Sequence, residues 1–505
     1  MADHFMTVLG TGGYNECTYV DFDKKNKIIN ASYNTKFAQV ASFSFFCGDY
    51  KDGDRFTVFV TSGARKKHLA DFERDVKKVF EGRNIIFEAV DILEGLSPDE
   101  QWKNFNIIYD TISEGETVTA DITHGFRILP MQLFAILNYA ENLKKISVSG
   151  VYYGVFEQPF GRINDEFIPY GVLSDYYNKE EKTYAEGVEV FYPVVDYSGY
   201  LTIMNLSNAA FCFSETGDAG AFAESVQKSK IKQFTVKETS DEIRKEYSKL
   251  YQFGVGLKNI TESIRCVRGR NDEKASRKDR PEKSIYQAVK CYEEAVRDQT
   301  ISPDESSEAK ALLNIITYMD GIVRDKFGKI TGTEVTDEAD KNISTGLCVI
   351  EWCIKYDMIQ AGFTALEETV ITWLVKNFGE YIRKLLKEER SSGTFIERDV
   401  REKAGSIATC YSRNFKDDGC AEDDIGNKRA QDELKIYNAF LSEFRNYRVE
   451  EIFDIILKIK QSRNDMNHFG FSTDQRKSSS LRKQLKEYYD AFSSIMASPF
   501  KDEGK

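Results

Sequence analysis

The sequence predicts an α/β domain followed by an all-α domain, and three observations predict it. Short apolar runs alternate with helical segments through the first 240 residues, strand signals then stop, and long amphipathic stretches fill the rest. At 505 residues the chain is too long for one core, so two or three domains are expected.

Residues 6–9 form an apolar run that ends in Gly10-Thr11-Gly12-Gly13. Between residues 19 and 47 the alternation of Tyr19, Val20, Ile28, Ile29, Ala31, Val40, Phe43 and Phe45 reads as a hairpin. Residues 56–61 form a strand that ends in Ser62-Gly63, with a charged helix following to Phe80. Further strands are expected at 84–92, 117–123, 146–156 and 188–196, and helical periodicity runs over 127–143, 200–211 and from Ala219. Strands separated by helices suggest βαβ units and a mostly parallel sheet, with polar loops gathered at the edge where open α/β sheets bind ligands. Beyond residue 240, helical stretches are expected at 241–268, 281–297, 306–326, 340–357, 362–388, 430–463 and 480–496, with polar loops at 268–281 and about 390–427.

An apolar fraction of 41% suffices for globular folding, and a charged fraction of 30% covers a soluble surface. No apolar run reaches the roughly 18 residues of a membrane span. Met1-Ala2-Asp3-His4 does not read as a signal peptide. The nine cysteines are scattered without a CxxC pair, which argues against a disulfide framework or a zinc site and for a reducing cytosol. Net charge is −12; residues 1–240 carry 24 basic and 34 acidic side chains, the remainder 45 and 47. That balance counts against a constitutive, high-affinity nucleic-acid clamp, though not against an enzyme that touches a few nucleotides.

Four histidines occur. His4 reads as an idle terminal residue. His68, in Arg65-Lys66-Lys67-His68, reads as part of a solvated helix face, with phosphate attraction as the alternative. His124 lies in Asp121-Ile122-Thr123-His124-Gly125-Phe126-Arg127, between a strand and a helix. There Gly125 permits a tight turn, and the free N–H groups of the next helix offer an anion site. Arg127 in the first helical turn opposes the helix dipole, which makes sense if a phosphate joins it. The loop Gly10-Thr11-Gly12-Gly13-Tyr14-Asn15 and the turn Thr61-Ser62-Gly63 stand at other strand ends, and neither matches a GxGxxG or GxxxxGK[ST] pattern. His468 closes Arg463-Asn464-Asp465-Met466-Asn467-His468, at the end of an apolar stripe of Val449, Ile452, Phe453, Ile456 and Ile459 that Arg463 continues. Histidine can exchange a proton near neutral pH, arginine can brace a phosphorane's charge, and RNA supplies its own nucleophile.

Together these residues resemble a known family. The Gly10–Asn15 loop, Asp121–Arg127, and the stretch from Pro193 through Tyr200 and Phe213 to Thr216-Gly217-Asp218 resemble a CRISPR-associated Rossmann-fold (CARF) sensor domain. Arg463-x₄-His468 in a helical domain resembles the HEPN ribonuclease signature, and the combination resembles the accessory ribonucleases of type III CRISPR systems. The resemblance divides the chain into a Rossmann-like CARF domain at 1–185, a connector completing it at 186–240, and a HEPN-like helical domain at 241–505. No motif is matched between about 270 and 430. It implies a homodimer or higher oligomer that binds a cyclic oligoadenylate across its two-fold axis, the tetra-adenylate being expected over the hexa-adenylate. It implies metal-independent cutting of single-stranded RNA that leaves a 2′,3′-cyclic phosphate, in antiviral defence in the cytoplasm, with no membrane and no cofactor. The ligand residues are then Gly10, Thr11, Gly12, Gly13, Tyr14, Asn15, Thr61, Ser62, Asp121, Thr123, His124, Gly125, Phe126 and Arg127. The catalytic residues are Arg463, His468 and Asn464.

Two rival readings stand. In one, the chain is a nucleotide-responsive regulator or scaffold that cuts nothing. In the other, Thr123 and His124 cleave the bound nucleotide within the α/β domain.

Overall fold

Residues with apolar side chains at successive positions form the buried strands of a parallel sheet, because helices cover both of its faces. The structure is a computed structural model that describes all residues except 1–2, 24–26, 181–182, 236–240, 269–283, 298–306, 332–336, 390–395, 416–427, 468–475 and 502–505. The chain divides into two units, residues 1–205 and 206–505.

The first unit is built on strands β1 (Asp3–Leu9), β2 (Cys17–Asp23), β3 (Ile28–Thr35), β4 (Arg55–Val60), β5 (Ile86–Asp91), β6 (Thr117–Asp121) and β7 (Ser147–Gly154). Short strands β8 (Phe160–Ile163), β9 (Glu166–Ile168), β10 (Tyr177–Asn178) and β11 (Thr183–Tyr184) precede β12 (Glu189–Asp196). The main sheet runs β3-β2-β12-β7-β6-β1-β4-β5, and β7, β6, β1, β4 and β5 are parallel neighbours. Strand order therefore reverses at β1: the chain moves to β4 and β5 on one side, then returns to β6 and β7 on the other. Between β1 and β6 lies the switch point, where open α/β sheets hold ligands.

Helices α1 (Ala38–Phe46) and α2 (Ser62–Val79) cover one face, with Phe37, Val40, Phe43, Phe72 and Val76 in a core with Phe5 and Phe56. Helices α3 (Pro98–Asp110) and α4 (Ile128–Leu143) cover the other, where Ile108, Leu133 and Ile136 pack on Met6, Val8 and Val151. A one-turn helix α5 (Tyr170–Leu173) precedes β10, and α6 (Ser198–Thr216) begins in this unit.

The second unit is helical: α7 (Gly220–Thr235), α8 (Asp241–Arg265), α9 (Ile285–Arg297), α10 (Ser307–Thr331), α11 (Glu338–Lys355), α12 (Ile359–Glu389), α13 (Glu397–Phe415), α14 (Lys428–Glu443), α15 (Val449–Asn467) and α16 (Ser478–Ala497). The loss of strand signals near residue 240 falls inside this unit. Its buried anchors include Trp352, between the rings of Phe213, Phe327 and Tyr356, and Phe378, beside Phe440 and Phe444.

Four expectations are corrected. The hairpin stops at Thr35, and residues 38–46 form a helix. Six successive buried positions, Ala38 to Phe43, erase any helical period, so the apolar run reads as strand. The polar stretch 390–427 contains α13, whose buried Val400, Ala404, Ile407 and Ala408 hold an i, i+4, i+7, i+8 spacing among many charges. The stretch 430–463 is two helices, interrupted where Tyr447 bridges to Phe500 and the Arg448 N–H donates to Pro499. His4 is fully buried: Nε2 lies 2.8 Å from Thr57 Oγ1 and Nδ1 lies 3.2 Å from Glu116 Oε2. The expected loop at 268–281 falls almost wholly outside the described residues. No described helix is long and apolar enough to cross a membrane.

Candidate functional site

At the switch point the loop after β1 meets the turn after β6. A Cβ on Gly10 would stand 2.9 Å from the Gly125 backbone nitrogen, so only glycine permits this approach. Gly125 has φ +115°, and a Cβ there would also strike Val8. Tyr14 secures the first loop by folding its hydroxyl back, accepting from Gly10 N at 2.9 Å and donating to Gly10 O at 3.2 Å. From α2, Lys67 donates to Thr11 O and His68 bonds Gly12 O at 2.8 Å. His68 thus fastens this loop from a solvent-exposed face of α2.

Asp121 faces the core. Ser42 of α1 donates to Oδ2 at 2.6 Å and Thr123 N donates to Oδ1 at 3.0 Å, so this carboxylate ties α1 to the turn. Burial pushes its carboxyl up to about 6, against the pull of those hydrogen bonds. The Thr123 hydroxyl accepts from Gly154 N at 2.8 Å, and Thr61 caps α2 by accepting from Ala64 N. Three of the expected ligand residues therefore work inside the fold.

Others face outward. Gly12, Gly13, Asn15, Ser62, Phe126 and Arg127 are exposed, and Thr11, Tyr14, His124 and Gly125 are half-buried. Arg127 immediately precedes α4 and makes no side-chain bond with another described residue. The His124 ring stands edge-on to Tyr14 at 4.7 Å and near Phe156 at 5.2 Å, and its Nε2 is buried without a partner among the described residues. Burial alone holds this imidazole down, at about 3, so it is neutral at physiological pH.

In the helical unit Arg463 lies in the last turns of α15, where its guanidinium pairs with Glu367 of α12. Glu367 is nearly buried and Arg463 about one-quarter exposed, so the cation on the apolar stripe is met by an anion from the chain itself. Arginine Nε has no partner among the described residues. Asn464 is exposed. His468 lies outside the described residues. Asn467, which ends α15, accepts from Gln360 at 3.3 Å. Among the described residues no His/Cys/Asp/Glu group is placed to hold a metal ion.

Sequence reasoning missed Glu367, Lys67 and Ser42. Glu367 stands 96 residues from Arg463, and no local spacing announces it. For Ser42 the signal was masked by reading residues 38–46 as a strand.

No protein-family model matches the chain. Over 66 residues, 12% of the chain, it is 33% identical to the CRISPR-associated protein MJ1674 of Methanocaldococcus jannaschii. The match spans about a tenth of that relative's length, 10%. Among solved structures it is similar to Enterococcus italicus Csm6 bound to cyclic hexa-2′-fluoro-hexa-dAMP, with 9% identity, 98% of this chain and 94% of the other covered, and a TM-score of 0.42.

Proposed function

We propose that the chain is a ligand-switched endoribonuclease of CRISPR defence, in which a cyclic oligoadenylate bound by the first unit activates RNA cleavage in the second. The observation that carries the reading is the pair of loops that meet at the switch point. Two glycine-dependent loops close on each other there, and Arg127 stands exposed with no described partner to answer its charge. Backbone N–H groups at the starts of α2 and α4, together with Arg127, suit phosphates. The flat, neutral faces of His124 and Phe156 suit an adenine ring. The local identity to a CRISPR-associated protein supports the biological setting.

A two-fold ligand calls for a second copy, and α4 offers a surface for one. Met131, Tyr139 and Leu143 are 67%, 44% and 57% exposed along one face, and Trp102 of α3 joins them at 66% through Phe105. That is on the order of 500 Å² of apolar surface, the size that marks an interaction site on a soluble protein. The face continues from Arg127 and Phe126, so a second copy seated on it would set two such loop pairs side by side.

In the second unit Arg463 would stabilise the phosphorane and His468 would move protons. The 2′-oxygen bonds to phosphorus and gives up its proton to a base; the bond from phosphorus to the 5′-oxygen breaks, and that oxygen takes a proton from an acid. Two copies of His468 in one composite site would supply base and acid, and Asn464 would bind the RNA beside them. Cleavage of the activator by Thr123 and His124 fits less well, because the Thr123 hydroxyl is already engaged by the Gly154 N–H and burial holds the half-exposed His124 imidazole neutral.

Calorimetric titration with cyclic tetra- and hexa-adenylate tests the reading. Binding of the tetra-adenylate at one ring per two chains is expected, with loss of affinity in Arg127→Ala. No binding of either ring overturns it.

A further inference from the structure

Two successive side chains of α2 hold two successive carbonyls of the loop after β1. The Lys67 ammonium donates to Thr11 O at 2.9 Å, and the His68 ring meets Gly12 O at 2.8 Å. A carbonyl oxygen can only accept, so His68 donates from Nε2. Tyr14, whose hydroxyl is folded back on Gly10, stands edge-on to the same ring with centroids 4.7 Å apart.

These bonds decide which way the loop's amides face. In a planar trans peptide the N–H points opposite to the C=O that precedes it. With Thr11 O and Gly12 O drawn toward α2, the N–H groups of Gly12 and Gly13 are turned away from it. Neither N–H finds a partner among the described residues. Both glycines are exposed, and beyond their chain neighbours no heavy atom lies within 4 Å of where their Cβ atoms would stand. A ligand oxygen can therefore approach this backbone without meeting a side chain, and successive free amides suit a phosphate.

We propose that Lys67 and His68 are positioning residues for activator binding: by holding the Thr11 and Gly12 carbonyls, they present the Gly12 and Gly13 amides to a phosphate of the ring. Both side chains act through the loop, and neither touches the ligand. A loop held in its bound shape beforehand loses less freedom on binding and so binds more tightly. This inference rests on the reading above, in which residues 10–15 contact a cyclic oligoadenylate.

The test is calorimetric titration of the full-length chain with cyclic tetra-adenylate, comparing wild type with His68→Phe, His68→Gln and Lys67→Met. Phenylalanine keeps a ring against Tyr14 but donates nothing, whereas glutamine offers an uncharged N–H donor near the place of Nε2. His68→Phe and Lys67→Met should each weaken binding by about three- to tenfold, while His68→Gln stays within about twofold of wild type. Hydrogen exchange at residues 11–13 should slow when wild type binds the ring. Equal losses in His68→Phe and His68→Gln would mean that the donated bond is not what matters, and overturn the inference. Wild-type affinity in His68→Phe or Lys67→Met overturns it too, as does exchange at 11–13 that the bound ring leaves unchanged. Should His68→Phe not fold, Lys67→Met, on the exposed side of α2, carries the comparison with Lys67→Arg as its rescue. Failure of wild type itself to bind the ring instead overturns the reading on which the inference rests.

Discussion

Replacing Glu367 by glutamine removes the charge facing Arg463 while leaving an oxygen to accept its hydrogen bond. Losing one partner of a fully buried ion pair costs roughly 3–5 kcal/mol. Here Glu367 is 8% exposed but Arg463 is 27% exposed, so water meets part of the demand. The retained acceptor lowers the cost further, to about 1–2 kcal/mol. For a unit of this size that lowers the midpoint of thermal unfolding by about 2–8 °C. The freed guanidinium can swing from its place on α15, and misplacement of this order slows cleavage by about tenfold or more. Arg463→Ala should go further, by roughly a hundredfold, since the charge itself is gone. Circular dichroism on heating and single-turnover cleavage with saturating activator measure both effects. Unchanged melting together with an unchanged rate for Glu367→Gln would refute the claim that this carboxylate holds the arginine.

Four further outcomes are expected. Arg127→Ala should raise the activator concentration needed for half-maximal cleavage and leave the saturated rate nearly unchanged; unaltered affinity by calorimetry removes Arg127 from the site. Full activity should persist in EDTA, with no cutting of DNA and products ending in a cyclic phosphate, as mass spectrometry of the fragments would reveal. Tyr139→Asp should give a monomer by sedimentation that no longer responds to activator, whereas a dimer of normal activity would place the interface elsewhere. Acid should destabilise the first unit in two stages. Burial keeps His4 from taking up the proton that the unfolded chain accepts near 6.5, so stability falls below that pH. Burial alone would raise the Glu116 carboxyl, but hydrogen bonds from His4 and the Ser113 N–H, with Arg55 nearby, bring it from 4.5 down to about 2. Its contribution is complete above pH 4.5 and is lost toward pH 2. Glu116→Gln should flatten the second stage in urea titrations, and an unchanged slope there would contradict it.

The alternation of strand and helix was legible because parallel strands buried on both faces are short apolar runs ending in glycine or polar turns. β1, β4 and β6 all do so. The switch-point loops were legible for the same reason, since Gly10 and Gly125 mark backbone that no other residue fits. What escaped depends on burial from two sides or on distant partners. The run at 38–46 lost its helical period to a core on every side, and α13 hid four apolar residues among charges. His4 looked idle because nothing near it in sequence announces Thr57 or Glu116. Of the motif at 121–127, residue identity pointed to the region but not to the division of labour. Asp121 and Thr123 serve the turn, while Arg127 faces out.

In the proposed mechanism a ligand at the first unit switches RNA cleavage in the second. The direct measurement is the initial rate of cleavage of a labelled single-stranded RNA by the purified chain, with and without cyclic tetra-adenylate. A coupling of ordinary strength predicts a low basal rate that rises by roughly ten- to a hundredfold on adding the ring. A rate that does not change with any cyclic oligoadenylate would contradict it.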